Sequence, residues 1–532
     1  MRKLPTRRKL VEAVAPEGHI ELVYADRPKS VAELLANTVA VRGDREGVIS
    51  GPLRLTYSQF AALVENAASS LYHRYGIRKG DRAALMMGNR WEFAVCFFAL
   101  ARIGAISVPL NTAHIGEEIA FQLNDSGSVM LIADPEFRGL MAEIKAETVH
   151  LRHACFTGTD EFSVLLEKAE GEVPDVPVGE LDSVSIMYTS GTTGRPKGAL
   201  LSHRGMIATA MDAAEIHGLR AGRDRFLNVV PLFHVTGLAI SLLGCFYAGI
   251  PIVLLESFKP AETLRVVEEE RITAMVAVIT IFWLMLNAPE FEEHDLSSLR
   301  ILAYGGSPPS TDVVKNLAER LPGVELSSGY GLSEAHGLDA SLPSEDATTK
   351  LDSVGFPVPT IDARVVDESG MELPPGEPGE LLLRGCKVIR EYWNNPEATR
   401  KAIVDGWLHT GDLAKIEGEG YIYILDRIKD MINRGGEKIF SIEVENVLYR
   451  NPKVLEASVV GVPDPVFGEQ VMAALVLKPG EELTSDEIQE FCRRHLAAYK
   501  VPRYVQFTSR LPRNPAGKVV KSVLAKEFRF SL

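Results

Sequence analysis

The chain has 532 residues, 46% of them hydrophobic and 24% charged, and a formal net charge of −14. It is too long for one hydrophobic core, so two or more domains of an ordinary soluble globular protein are expected. The acidic balance excludes a general nucleic-acid binder, which needs a basic face to displace counterions, but leaves room for a local basic pocket.

The N-terminus, MRKLPTRRKLVEAV, is basic. No apolar run follows, so it is not a secretory signal and is expected to be a solvated arm. Short apolar runs ending in Gly, Pro, Asn or Asp then recur: RAALMMGN, GAISVPLN, VMLIADP, PIVLLES, ITAMVAVI and LRILAYGG. Helix-like segments such as PAETLRVVEEER and STDVVKNLAER lie between them. Strands alternating with amphipathic helices indicate an α/β chain of parallel sheets covered by helices. Ligand loops of such sheets sit beyond the carboxyl ends of the strands.

Residues 226–255 contain no Asp, Glu, Lys or Arg. Their central part is long enough to span a bilayer, but Pro231, Gly237, Gly244, Gly249 and Pro251 punctuate it. The helix these leave, about residues 236–248, is shorter than the ~20 residues a span needs. A strand end, a buried helix and a second buried strand are expected, with no integral membrane span.

From about Ile361 the texture changes. DARVVDESGMELPPGEPGELLLRG reads as hairpins joined by Gly/Pro turns, a β-rich subdomain. After Asp426 a compact α+β segment follows, with ASVVGVPD, VMAALVLK, TSDEIQEFCRRHL and YVQFTS in a β-α-β-like rhythm. A boundary near residues 427–430 gives domains of 1–428 and 429–532. Cys96, Cys155, Cys245, Cys386 and Cys492 are scattered and odd in number, with no CxxC pair. They read as reduced thiols of a cytoplasmic protein, without a zinc site or a disulfide frame.

The stretch YTSGTTGRPKG, residues 188–198, cannot build a core. A loop rich in Gly191 and Gly194 can turn several backbone N–H groups toward one anion. Thr189, Ser190, Thr192 and Thr193 add hydroxyl donors, and Lys197 adds a point charge. This suits a polyphosphate. It is not a Walker A loop, because Arg195-Pro196 intervenes and Lys197 is followed by Gly198 instead of Ser or Thr. Pro196 also lacks a donor and fixes its own φ. The loop is therefore expected to cover phosphates as a flap, followed by a helix from about His203. A flexible linker would not need one Lys between glycines.

YTSGTTGRPKG closely resembles the signature loop of the acyl-adenylate-forming superfamily, which includes acyl- and aryl-CoA synthetases, adenylation domains of peptide synthetases and firefly luciferase. The other motifs of that group occur in order over nearly the whole chain. SSGYGLSEAHG, residues 327–337, resembles its adenine and magnesium loop. The resemblance sets Tyr330, between Gly329 and Gly331, against a purine, and makes Glu334 a hard oxygen ligand for Mg2+. Ser333 replaces the usual Thr and keeps the hydroxyl.

YGGSPPS resembles the segment edging the adenine and acyl pockets, with Gly305, Gly306 and Ser307 beside the nucleotide. Tyr304 stands where a small residue is usual, and either reshapes the acyl pocket or simply packs. HTGDLAKIEGEGYIYILDRIKD carries Asp412, which the resemblance makes the acceptor for both ribose hydroxyls, and Arg427, which supports the same region. PLFHVTGL puts His234, with Val235 and Gly237, between the carboxylate site and the acyl pocket. Alone, one His in an apolar run would read as a core residue.

PRNPAGKVVK supplies Lys518, which the resemblance brings to the substrate carboxylate and the α-phosphate, where a desolvated cation stabilises developing charge. DRIKDMINRGGEKIFSIEVE supplies a hinge at Lys429 and a pantetheine face at Gly435, Gly436 and Glu437. FSIEVE should begin a helix. The implied fold is that of adenylate-forming enzymes, a large N-terminal domain and a small mobile C-terminal one.

The implied reaction has two halves. A carboxylic acid and MgATP give acyl-AMP and pyrophosphate; after domain rotation, coenzyme A takes the acyl group and AMP leaves. Loading of a carrier-protein thiol is the alternative. The pocket segments are mostly apolar, which favours an aliphatic or aromatic monocarboxylic acid. A homodimer is kept open.

Overall fold

The computed structural model describes residues 2–169, 171–189, 195–306, 311–513 and 519–529. Two sheets carry most of the chain. The first has six strands in the order Lys197–Ser202, Ser183–Thr189, Ile106–Pro109, Arg82–Met86, Met130–Ala133 and His153–Phe156. All neighbours are parallel except the first two, which pair antiparallel. The second has nine strands. Its parallel centre runs Glu325–Tyr330, Ile301–Gly305, Ala274–Ala277, Phe226–Asn228, Ile252–Leu254 and Glu46–Ser50, with antiparallel strands at both edges.

The apolar runs are strands because both of their faces are covered. Helix Trp91–Arg102 makes the point: every residue from Glu92 to Ala101 is buried. It packs on Arg82–Met86 and Ile106–Pro109 of one sheet and on Glu46–Ser50 of the other, so it needs an apolar surface all round. Residues 226–255 form strand Phe226–Asn228, a helix running Thr236–Leu243 and on through Gly244–Ala248, and strand Ile252–Leu254. Among the described residues no helix is long and apolar enough to cross a membrane.

A third sheet joins Ile361–Val366, Gly379–Gly385, Trp407–Ile416, Ile403–Val404 and Ile422–Arg427. The fourth draws only on Ile432–Arg434, Glu437–Ile439, Val454–Asp464, Gly468–Leu477 and Tyr504–Phe507. Helices Ser441–Tyr449 and Ser485–Arg493 cover it around a core of its own, which includes Ile439, Leu448, Val459 and Leu475.

The helix expected from about His203 begins there, as His203–Ile216. The residues before it, Lys197–Ser202, form a strand. It pairs with Ser183–Thr189 and alternately buries Ala199 and Leu201, while Ser202 caps helix His203–Ile216 by accepting from Gly205 N at 3.1 Å. Thr189 and Lys197 therefore face each other on adjacent antiparallel strands. The basic N-terminal arm is docked, not solvated. Leu4 is buried and donates its N–H to Pro357 O at 2.9 Å, Lys3 pairs with Asp362 at 2.8 Å, and the Arg2 guanidinium lies over the Phe356 ring.

Candidate active site

The carboxyl ends of the nine-stranded sheet open into a cleft of about 2390 Å³. The first two sheets supply Thr189, Lys197, Tyr304, Gly305, Gly306 and residues 329–334. The third supplies Asp412 and Arg427, and the small C-terminal unit adds Glu443, Lys500 and Lys521.

Two polar knots organise it. In the first, Glu334 sits on the turn Ser333–Ala335, and its Oε1 accepts from Thr189 Oγ1 at 3.1 Å and from the Tyr392 hydroxyl at 2.9 Å. The Lys197 ammonium lies 5.3 Å from the Tyr392 ring centroid. Tyr392 thus meets a cation on its face and a carboxylate at its hydroxyl. Burial, and then the Glu334 charge, push its phenol up, so it remains a donor.

In the second knot, the Tyr330 hydroxyl donates to Asp412 Oδ2 at 2.6 Å, and Arg427 Nε lies 3.4 Å from Asp412 Oδ1. Asp412 and Arg427 face each other in antiparallel register, which fixes their spacing through the sheet itself. Burial, and then the Asp412 charge, push the Tyr330 phenol well above its ordinary range. Asp412 is almost fully buried yet keeps acceptor capacity, since an ionised carboxylate offers about four lone-pair sites.

Glycine is required where this wall is thinnest. A Cβ on Gly305 would stand 2.4 Å from Gly329 O, and one on Gly331 would stand 1.5 Å from Gly337 O. Either methyl would push strand and turn apart.

The opposite wall is apolar and includes Val229, Val235, Ile240, Val276, Ile279 and Ile281. His234 lies at its polar margin. Its Nδ1 accepts from Thr236 N at 3.2 Å. Tyr304 is 1% exposed and packs with the core of the nine-stranded sheet. Among the described residues its hydroxyl has no hydrogen-bond partner. Burial pushes that phenol up. Tyr304 thus both packs in that core and lines the cleft.

Thr189, Lys197, Gly305, Gly306, Gly329, Tyr330, Gly331, Ser333, Glu334, Asp412, Arg427, His234, Val235 and Tyr304 therefore border one cleft. Gly237 lies beneath the wall, against Pro231 O. Gly435, Gly436 and Glu437 form an exposed hairpin turn that does not border the cleft, and Lys429 is exposed between two strand ends. Ser190, Gly191, Thr192, Thr193, Gly194, Ser307 and Lys518 lie outside the described residues.

Tyr392 was not legible from sequence. REYWNN has no ligand-like pattern, and its partner Glu334 is 58 residues away. Nor was a buried cluster behind the Tyr330–Glu334 turn, in which Lys387 pairs with Asp212 at 3.0 Å and lies 3.8 Å from Asp339. Burial raises the Asp339 carboxyl to about 7 against the pull of Lys387, and burial lowers the neighbouring His336 to about 4.

All five cysteines are buried and free. Burial pushes the Cys492 thiol to about 11 and those of Cys155 and Cys386 to about 12, so none is a ready thiolate. Among the described residues no group of three or more His, Cys, Asp or Glu side chains could hold a metal ion. Glu334 is a lone hard-oxygen donor, which fits Mg2+ held mainly by phosphate oxygens and water.

The family model for AMP-binding enzymes matches residues 35–393, and that for the AMP-binding enzyme C-terminal domain matches residues 443–518. A feruloyl-CoA synthase from an Amycolatopsis species is 38% identical over 478 residues, covering 90% of this chain and 95% of the relative. The long-chain-fatty-acid–CoA ligase FadD13 of Mycobacterium tuberculosis is 37% identical over 480 residues, covering 90% and 94%. The crystal structure of the anthranilate CoA ligase AuaEII with anthranoyl-AMP superposes with a TM-score of 0.89 at 27% identity, covering 96% of this chain and 99% of that one. This chain belongs to the AMP-binding enzyme family and has the acyl-adenylate-forming fold.

Proposed function

We propose that the chain is an ATP-dependent carboxylic acid–CoA ligase that works through an acyl-AMP intermediate. The observation that carries this reading is the meeting of the two knots, Thr189–Glu334–Tyr392 and Tyr330–Asp412–Arg427, in one cleft with an apolar wall opposite. One knot suits a polyphosphate, the other a ribose and purine, and the wall suits the tail of an acid.

In the first half-reaction a carboxylate oxygen attacks the α-phosphorus of ATP, and pyrophosphate leaves. In the second the coenzyme A sulfur attacks the acyl carbon, and AMP leaves with the bonding pair. Chemistry of this kind rests on positioning and charge stabilisation, so it needs no covalent nucleophile from the enzyme. Asp412 accepts from the ribose hydroxyls, and Tyr330 stacks on the adenine. Lys197, with the Gly/Ser/Thr residues 190–194, contacts the β- and γ-phosphates. Glu334 would hold Mg2+, which when bound neutralises phosphate charge. Lys518 takes the carboxylate and α-phosphate during adenylation.

A small domain of residues 429–532 turns about Lys429 relative to residues 1–428. The turn brings Gly435, Gly436 and Glu437 to the cleft for the second step. The exposed position of that hairpin is consistent with a face awaiting its turn. The acid is an apolar monocarboxylic one, in line with the feruloyl and long-chain fatty acyl relatives, and the buried free thiols fit a cytoplasmic enzyme.

The test is pyrophosphate release with MgATP and a panel of aliphatic and aromatic acids, with and without coenzyme A, products identified by mass. Acid-dependent pyrophosphate and a new acyl-CoA are expected. A single burst with retained acyl-AMP and no acyl-CoA would replace coenzyme A by a carrier-protein thiol.

A further inference from the structure

Behind the Tyr330–Glu334 turn lies a buried ionic cluster whose own residues do not line the cleft. Lys387, Asp212 and Asp339 have side chains with no exposure. Lys387 Nζ pairs with Asp212 Oδ2 at 3.0 Å, donates to Leu338 O, and lies 3.8 Å from Asp339 Oδ1. Asp212 is held further by the Tyr24 hydroxyl at 2.9 Å and Thr360 Oγ1 at 2.6 Å.

The cluster reaches the turn through Asp339. Its Oδ2 accepts from Leu332 N at 3.0 Å, and its own N–H donates to Tyr330 O at 2.8 Å. Leu332 lies between Tyr330, which bonds Asp412, and Glu334, which bonds Thr189 and Tyr392. Lys387 tightens the same frame, since its carbonyl pairs with His336 Nδ1, and two residues on Ile389 N donates to Glu334 O at 2.8 Å.

Taking charges out of water is costly, and an apolar core is often as stable as a buried ion pair of the same shape. The cluster bears that cost at Asp339, whose carboxyl burial raises to about 7. What it supplies that an apolar core cannot is an acceptor at one fixed point, aimed at one backbone amide. Asp339 Oδ2 and both oxygens of Asp212 are hydrogen-bonded, while Asp339 Oδ1 has only the Lys387 charge at 3.8 Å among the described residues; bonds so directed favour a single arrangement of the turn.

We propose that Asp339, anchored by Lys387, is a positioning residue of the nucleotide site: it fixes the Leu332 amide and so sets the spacing of Tyr330 and Glu334. The inference rests on the reading of this cleft as an ATP site. It requires that MgATP affinity follow the Leu332–Asp339 bond while the acid and thiol sites stay unaffected. Asn at position 339 keeps an oxygen for the Leu332 amide and leaves the Lys387–Asp212 pair whole; Ala removes the acceptor.

The experiment is calorimetric titration of the full chain with MgATP, comparing wild type, Asp339→Ala and Asp339→Asn, with folding checked by thermal melting. Steady-state kinetics on the acid found active supplies the second readout. Asp339→Ala should bind MgATP about tenfold more weakly, with KM for ATP raised in proportion and kcat and the acid KM within twofold. Asp339→Asn should recover most of the affinity. Unchanged affinity in Asp339→Ala, an equal fall in every kinetic constant, or no recovery in Asp339→Asn overturns the proposal. If Asp339→Ala does not fold, hydrogen exchange at Leu332 in wild type and Asp339→Asn decides. Affinity that tracks protection supports the proposal, and affinity retained where protection is lost overturns it. A wild-type chain that binds no MgATP would instead remove the ATP-site reading itself.

Discussion

The two walls of the cleft are built from different kinds of contact. On the nucleotide side the contacts are polar and join distant parts of the chain: Thr189 to Glu334, Tyr330 to Asp412, Glu334 to Tyr392. On the apolar side Val229, Val235, Val276 and Ile279 offer only shape, and Tyr304 turns its ring into the core behind them. A polar wall is defined by which atoms meet, so a shift of one ångström breaks it. An apolar wall is defined by volume, so many side chains can build it and its ligand is set by packing. Mutations on the first wall should therefore act on ATP and be large. Those on the second should act on the acid and be small.

The largest expected effect comes from Lys518. If it supplies the positive charge to the reacting phosphate, Lys518→Ala should slow acyl-AMP formation by on the order of 10³-fold. Thioester formation from supplied acyl-AMP should remain within a few-fold of wild type. Quenched-flow analysis of the two half-reactions measures both. Equal loss in both would place Lys518 outside the adenylation step.

Asp412→Ala comes next. It removes the acceptor for the Tyr330 hydroxyl and the partner of Arg427. Hydrogen bonds to charged groups contribute about 1.5–3 kcal/mol, and 1.4 kcal/mol is tenfold, so kcat/KM for ATP should fall roughly 10²-fold. KM for the acid should not move. An acid KM that rose in step would mean that the two walls are not independent.

The difference between the walls also explains what the sequence could reveal. Tyr330, Glu334, Lys197 and Asp412 stand in short motifs whose residue types are tied to phosphate, magnesium and ribose chemistry, so they are visible without a fold. The alternating strands and helices were legible for a related reason. A strand covered on both faces must be an unbroken apolar run, as Met130–Ala133 is. Lys197–Ser202 was missed because KGALLS is short and sits beside a loop motif, and only its pairing with Ser183–Thr189 makes it a strand. Tyr392 and Asp339 were missed because each acquires its role from a partner. Nothing in REYW announces Glu334, and nothing in GLDAS announces Lys387. Tyr304 was visible as an oddity but not as core, since the direction of a strand side chain depends on register.

A smaller effect tests the weaker bond of the polar wall. Tyr330→Phe keeps the ring and removes only the hydroxyl that donates to Asp412 at 2.6 Å. KM for ATP should rise several-fold, up to about tenfold, with kcat little changed. Steady-state kinetics at saturating acid reads it directly. A large fall in kcat with constant KM would assign the hydroxyl to the chemical step.

The smallest effect has the opposite sign and belongs to the other wall. The Tyr304 hydroxyl is buried without a hydrogen-bond partner among the described residues. Burying a hydroxyl that way costs about 1–3 kcal/mol in proteins. Tyr304→Phe removes the uncompensated group and keeps the ring that fills the space. The variant should therefore gain about 1 kcal/mol against urea, with KM for ATP unchanged and the preference among acids shifted by less than threefold. Tyr304→Ala separates volume from polarity. It should lose about 3–5 kcal/mol, as aromatic truncations in cores do, and should favour bulkier acids if the freed space joins the cleft. A Phe variant that loses stability would mean that the hydroxyl has a buried partner, water included. The apolar wall would then hold a polar contact of its own, and the contrast between the walls would narrow at that residue.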